Sequence, residues 1–198
     1  TLSTNLAAFN LSFTGGTNTF TNAVTFDNTG TLNLGDASGD TFTFNAGVTE
    51  STSGTVTLAS SISSSNDAIS FGAVTLGANT TIDTNASSTT GDLTIGAVTG
   101  GSNTLTLSTG DNVANTDISA SGAISGVTTL TLSDVGGTAT LSADVDVTTL
   151  SVDNTVANVA FTGDGSSVTN AVAFANDGTL TLGTSSGTQT YNGGLTTT

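Results

Sequence analysis

The chain of 198 residues contains no Lys, Arg, His, Pro, Cys, Met or Trp. Each absence removes a class of protein. A groove without cationic side chains cannot neutralise phosphates, so nucleic acid is excluded as a partner. Docking onto an anionic bilayer fails for the same reason. Zinc, haem and iron–sulfur centres need imidazole or thiolate, and neither exists here. Without Cys no disulfide staples the fold, and the redox compartment cannot be inferred from cysteine usage. No apolar run approaches the ~18 residues that span a membrane, so no membrane insertion is expected. Good helix formers are nearly missing too. Beyond the absent Lys, Arg and Met there is one Glu, at position 50, and one Gln, at position 189, which leaves little to build a helix interior.

What remains is Thr (45 residues), Ser (25) and Gly (25), with 14 Asp and the single Glu50 giving a net charge of −15. Charged residues are only 8% of the chain, which is not the high-charge composition of a disordered polypeptide. Thr and Val are β-branched and suit a pleated surface. Segments such as Thr31-Leu32-Asn33-Leu34, Thr55-Val56-Thr57-Leu58, Thr104-Leu105-Thr106-Leu107, Thr129-Leu130-Thr131-Leu132 and Thr179-Leu180-Thr181-Leu182 alternate polar and apolar residues. A period of two predicts strands buried on one side. Clusters such as Gly35-Asp36-Ala37-Ser38-Gly39-Asp40 and Gly163-Asp164-Gly165-Ser166-Ser167 separate them and read as turns. The chain is expected to be all-β.

Repetition appears on two scales. Residues 1–41 align without a gap to 149–189, with 20 of the 41 positions identical, including Phe13 with Phe161 and Phe26 with Phe174. After a one-residue deletion, Phe44-Asn45 aligns with Tyr191-Asn192. Residues 1–148 therefore form one long repeat and 149–198 a partial second copy, within a single continuous domain 1–198. The partial copy, with a start at Thr1 that lacks Met or a signal-like segment, reads as a piece of a longer array. Within the unit, strand cores at Leu32, Val56, Val74, Leu93, Leu105, Leu130, Leu150 and Leu180 recur at spacings between 12 and 30 residues. Coils of roughly 20 residues predict a parallel β-helix, each coil laying short strands on the one before. A sandwich or barrel is the competing architecture, but no closing pattern is evident. Such a coil leaves open strand edges at both ends, and the chain has no Pro, Lys or amphipathic helix to cap them. Its neighbours are therefore expected to be more of the same array or identical subunits end to end.

The segments Gly30-Thr31-Leu32-Asn33-Leu34-Gly35, Gly91-Asp92-Leu93-Thr94-Ile95-Gly96 and Thr128-Thr129-Leu130-Thr131-Leu132-Ser133 resemble the strand repeats of giant bacterial surface proteins. These are the filamentous-haemagglutinin-like and autotransporter-passenger adhesins. The resemblance covers the whole chain through texture and composition, and no functional residue carries over. It implies a secreted, right-handed parallel β-helix that serves as a stalk, adhesin or surface fibre, extracellular or on the bacterial cell surface.

The chemistry-bearing residues point away from catalysis. Ser and Thr abound, but no His or Lys activates them. Glycoside hydrolysis needs only two carboxylates, and two pairs are candidates: Asp144 with Asp146, two apart on a strand, and Asp36 with Asp40, flanking a turn. Neither has a nearby aromatic sugar platform, so no catalytic residue is assigned and the chain is read as non-enzymatic. Calcium is the one cofactor an acidic secreted β-protein could hold. Gly15-Gly16-Thr17-Asn18-Thr19-Phe20 and Gly100-Gly101-Ser102-Asn103-Thr104-Leu105 approach the calcium-binding turn repeat but lack its third Gly and its Asp. Asp27, Asp36 and Asp40 align with Ala175, Thr184 and Thr188 in the second copy. No cofactor or metal site is assigned, and only loose calcium association is allowed for. Thr-x-Thr pairs at 29/31, 41/43, 55/57, 104/106, 129/131, 138/140, 179/181 and 188/190 predict outward hydroxyl rows. The main expectation is a stiff structural rod; the alternative is a surface module recognising glycan, or ice, through Thr/Asn-rich faces. Phe9, Phe13, Phe20, Phe26, Phe42 and Phe44 crowd the N-terminal quarter, and their alternation predicts that they face inward.

Overall fold

The computed structural model describes residues 2–85, 87–88, 90–110, 113–184 and 186–198; Thr1, first in the repeat alignment, lies outside them. Within them every regular element is a strand, every strand pair is parallel, and no helix occurs. Parallel pairing throughout rules out the sandwich, whose hairpins are antiparallel. The described residues wind as a three-faced β-solenoid of nine coils.

The first face stacks Leu2–Ser3, Val24–Phe26, Val48–Glu50, Ile69–Phe71, Leu93–Ile95, Ile118–Ala120, Val135–Leu141, Val156–Phe161 and Leu180–Leu182. The second begins with Leu11–Phe13 and Thr31–Leu34 and ends with Ser167–Val168 and Thr190–Tyr191; the third begins with Thr17–Phe20 and Thr41–Phe44 and ends with Val172–Phe174 and Leu195–Thr197. Two long strands, Ile124–Ser133 and Val145–Val152, run across both of these faces and join them into one sheet.

Leu2 pairs with Val24, and the same inward column continues to Leu180 eight coils later, an average near 22 residues per coil. Individual coils vary: Val56 pairs with Val74, 18 residues on, whereas Val98 pairs with Ile124, 26 on. The corners absorb this variation while the strands stay in register. The irregular spacings in the sequence are thereby explained. Leu32 to Val56 and Leu105 to Leu130 are true coil steps, whereas Leu93 to Leu105 and Leu150 to Leu180 pass from one face to another.

Inward residues form continuous apolar columns, such as Phe42–Ile62–Ile82–Leu107–Leu132–Val152–Phe174 on the third face. All seven are buried, and each large side chain removed from water contributes roughly 1.5–3 kcal/mol. Phe26, Phe42 and Phe44 are fully buried as expected, and Phe13 and Phe20 pack against the core while partly buried. Phe9 departs from expectation. It lies in the corner before the second face, 36% exposed, with Leu6 beside it at 72%. Its alternating context is a corner peptide rather than a strand, so the period-two argument does not apply there.

Candidate functional site

The corners carry most of the polar chemistry. Asn28, Asn103 and Asn176 occupy one corner each: first to second face, second to third, and third to first. Asn28 Nδ2 donates to Phe9 O (3.3 Å) in the coil below and to Thr31 O (3.2 Å). Asn103 Nδ2 donates to Leu76 O and Gly100 O, both 3.0 Å. Asn176 Nδ2 reaches Ala157 O (3.5 Å) and Thr179 O (3.0 Å). Each amide thereby ties its own corner to the coil below.

A second set of side chains accepts from the coil above. Asn10 Oδ1 takes the Thr31 N–H, Asn79 Oδ1 that of Thr104, and Asn158 Oδ1 that of Thr179, each at 2.9 Å. Asp92 and Asp117 do the same for the Asp117 and Thr138 N–H groups.

The carboxylate pairs separate into different roles. Asp144 precedes its strand, and its Oδ1 accepts the Gly165 N–H at 2.7 Å. Asp146 is exposed on the strand itself. Asp40 is buried, and its Oδ2 accepts the N–H groups of Asp36 (2.9 Å) and Ala37 (3.3 Å), closing the turn. These backbone donors hold the Asp40 carboxyl below its ordinary value of 3.8, the Asp36 N–H contributing most. Among the described residues no group of three or more His, Cys, Asp or Glu is placed to hold a metal. The two glycine-rich segments are turns closed by Asn: Asn18 Nδ2 donates to Gly15 O (2.6 Å), as Asn103 does to Gly100 O.

Glu50 is inside, which the sequence reading did not anticipate. It shares an inward column with Phe26 below it, and it is 2% exposed. Its Oε1 accepts the Ser53 N–H (2.6 Å) and its Oε2 the Gly72 N–H (3.2 Å). The signal was available: Val48-Thr49-Glu50 alternates, so Glu50 falls on the side of Val48. Tyr191, with its phenol donating to Gln189 Oε1 at 3.0 Å, is half-buried, and burial pushes its pKa up to about 12.

Single members of four Thr-x-Thr pairs, Thr41, Thr106, Thr131 and Thr140, fall in rows that they share with Ser and other Thr. On the third face Thr41, Ser61, Thr81, Thr106, Thr131 and Ser151 stack coil on coil; on the first, Ser3, Thr25, Thr49, Ser70, Thr94, Ser119 and Thr140 do so. At the corner from the second to the third face the surface opens into a groove of about 410 Å³ lined by Ser102, Thr128, Asp146, Thr148, Ser167 and Thr169. A smaller one, about 260 Å³, is lined by Leu2, Thr19, Phe20, Thr21 and Asn22.

No family model matches the chain, and no curated protein or solved structure matches it. The class its own residues define is a parallel β-solenoid of repeats.

Proposed function

We propose that the chain is a load-bearing segment of a secreted or cell-surface bacterial fibre, stalk or adhesin, and that it performs no catalysis. One observation carries this reading: nine coils keep a single inward register although their lengths differ by several residues. Such a stack gains length without changing cross-section, and its ladder bonds run along the axis at about 4.8 Å per coil. An extracellular setting is supported by the absence of Lys and Arg, which denies trypsin-like proteases any cleavage site. The partners that follow are further lengths of the same array or identical subunits stacked end to end. Cryo-electron microscopy of native material carrying this chain tests the reading. A continuous rod with axial density every ~4.8 Å is expected; an isolated particle a few coils long, free in the cytoplasm, overturns it.

A further inference from the structure

We propose that the groove at the corner between the second and third faces is a binding site for an uncharged glycan. The proposal goes beyond the rod reading and requires only the folded solenoid.

A local departure from the regular stack creates the groove. The ladder between Ile124–Ser133 and Val145–Val152 slips between Ser125 and Val127, where Gly126 takes φ +67°. Bulges of this kind re-aim a strand and open its outer surface. Thr128 Oγ1 spans the floor to Ser102 O at 2.7 Å.

The smaller groove shares two positions of this lining but not the bulge or the carboxylate. Thr19 and Thr21, in the smaller groove, are the repeat equivalents of Ser167 and Thr169 in the larger. Beside them, Thr21-Asn22-Ala23 and Thr169-Asn170-Ala171 are identical and exposed in both copies, although 21 of the 41 aligned positions differ. Packing accounts only for the Asn: Asn170 Nδ2 ties the corner to Thr149 Oγ1 at 2.8 Å. Burial places no demand on the exposed Thr and Ala.

The lining specifies the ligand class. Ser and Thr hydroxyls donate and accept, and the exposed Asp146 carboxylate can accept from two neighbouring sugar hydroxyls. A net charge of −15 with no cation repels uronic, sialylated and sulfated chains, which leaves neutral ones. A volume of about 410 Å³ suits a small-ligand site. The groove has no aromatic platform, so binding is weak, with Kd of order 1 mM.

The test is an amide-resolved NMR titration of the intact 198-residue chain with maltohexaose, cellohexaose, laminarihexaose and, as an acidic control, hexagalacturonate. At least one neutral hexasaccharide is expected to shift the Gly126, Thr128, Asp146 and Thr148 amides saturably, while hexagalacturonate does not. Asp146→Ala, at an exposed position, should weaken binding about fivefold, the loss of roughly one hydrogen bond. Ser167→Trp, which fills the groove, should abolish it, with unchanged strand signals confirming the fold in both variants. The proposal is overturned if no neutral sugar gives saturable shifts, if the shifts scatter over all three faces, if the acidic control binds best, or if both variants bind as the parent does.

Discussion

Residues 2–50 and 150–197 are two readings of one repeat, yet they lie on different faces. Leu11–Phe13, on the second face, corresponds to the end of Val156–Phe161, on the first; Val24–Phe26, on the first, corresponds to Val172–Phe174, on the third. The unit advances the chain by twenty strand segments, six full coils and two-thirds of another, so each copy begins one face away from the last. The contacts survive the move. Asn28 and Asn176 donate to equivalent carbonyls nineteen residues back and three ahead, and Asn10 and Asn158 accept from Thr31 and Thr179 at the same 2.9 Å. A Cβ on Gly30 would collide with Phe9 O, and one on Gly178 with Ala157 O, its repeat equivalent. The three faces are thus interchangeable to this sequence. What it encodes is a strand followed by a corner, whichever side of the prism receives it.

The two copies differ in how firmly they are packed, and substitutions at matched positions should expose the difference. The largest effect is expected at Phe44. Its ring stacks on Phe20 with centroids 4.9 Å apart, meets Phe26 edge-on at 6.4 Å, and is fully buried. Phe44→Ala should cost about 3–5 kcal/mol through lost contacts and the cavity left behind. Tyr191 is its counterpart, partly buried, with Phe161 and Phe174 at 6.4 and 6.3 Å. Tyr191→Ala should cost about 1–2 kcal/mol, in proportion to the smaller area withdrawn from water. Urea unfolding followed by far-ultraviolet circular dichroism measures both; equal losses would show that the copies are packed alike. The corner asparagines come next. Asn28 is fully buried, and Asn28→Ala removes its hydrogen bonds to the Phe9 and Thr31 carbonyls and should cost about 1–3 kcal/mol. Asn176, 9% exposed, sits where water can replace part of what it gives, so Asn176→Ala should cost about 1 kcal/mol. A larger loss at Asn176 in the same melts would refute this ordering.

The strands were readable from the sequence because they rest on alternation, a property of neighbouring residues. Thr31-Leu32-Asn33-Leu34 and Thr104-Leu105-Thr106-Leu107 fall in strands with Leu inward. The parallel stacking followed from the repeat and the coil spacing. Three things were not readable, and each depends on the coil below. Asn79 and Asp92 look like ordinary turn residues until the N–H groups of Thr104 and Asp117 are seen above them. Phe9 sits among alternating residues but falls at a corner. The groove arises from a slip between two coils at Gly126, and nothing within twenty residues of Gly126 announces its partner. The rotation of the repeat belongs to the same class, since 148 residues reveal a fractional coil only once the coil length is known.

Titration separates the copies most finely, because each contains a perturbed group the other lacks. Asp40 is replaced by Thr188 in the second copy, and Tyr191 stands where the first has Phe44. The Asp40 carboxyl is held below 3.8 by the Asp36 and Ala37 N–H groups, so the folded state favours the ionised form. Its contribution is complete above 3.8 and is lost as the pH falls through the lowered value. Tyr191 behaves in the opposite sense. Burial raises its pKa from 10.0 to about 12, so the folded state favours the neutral phenol; that contribution is complete below 10 and is lost as the pH rises towards 12. Hydrogen exchange of individual amides should therefore show the Asp36 and Ala37 N–H groups losing protection first in acid while those of Gly183 and Thr188 are unaffected. In alkali, protection should fail first around Thr190–Tyr191 while Thr41–Phe44 holds, because Phe44 has nothing to ionise. If both turns loosen together in acid, the Asp40 hydrogen bonds are not what holds the first turn closed. If alkali opens the two copies alike, Tyr191 is already hydrated, and the second copy is packed more loosely than its aromatic contacts indicate.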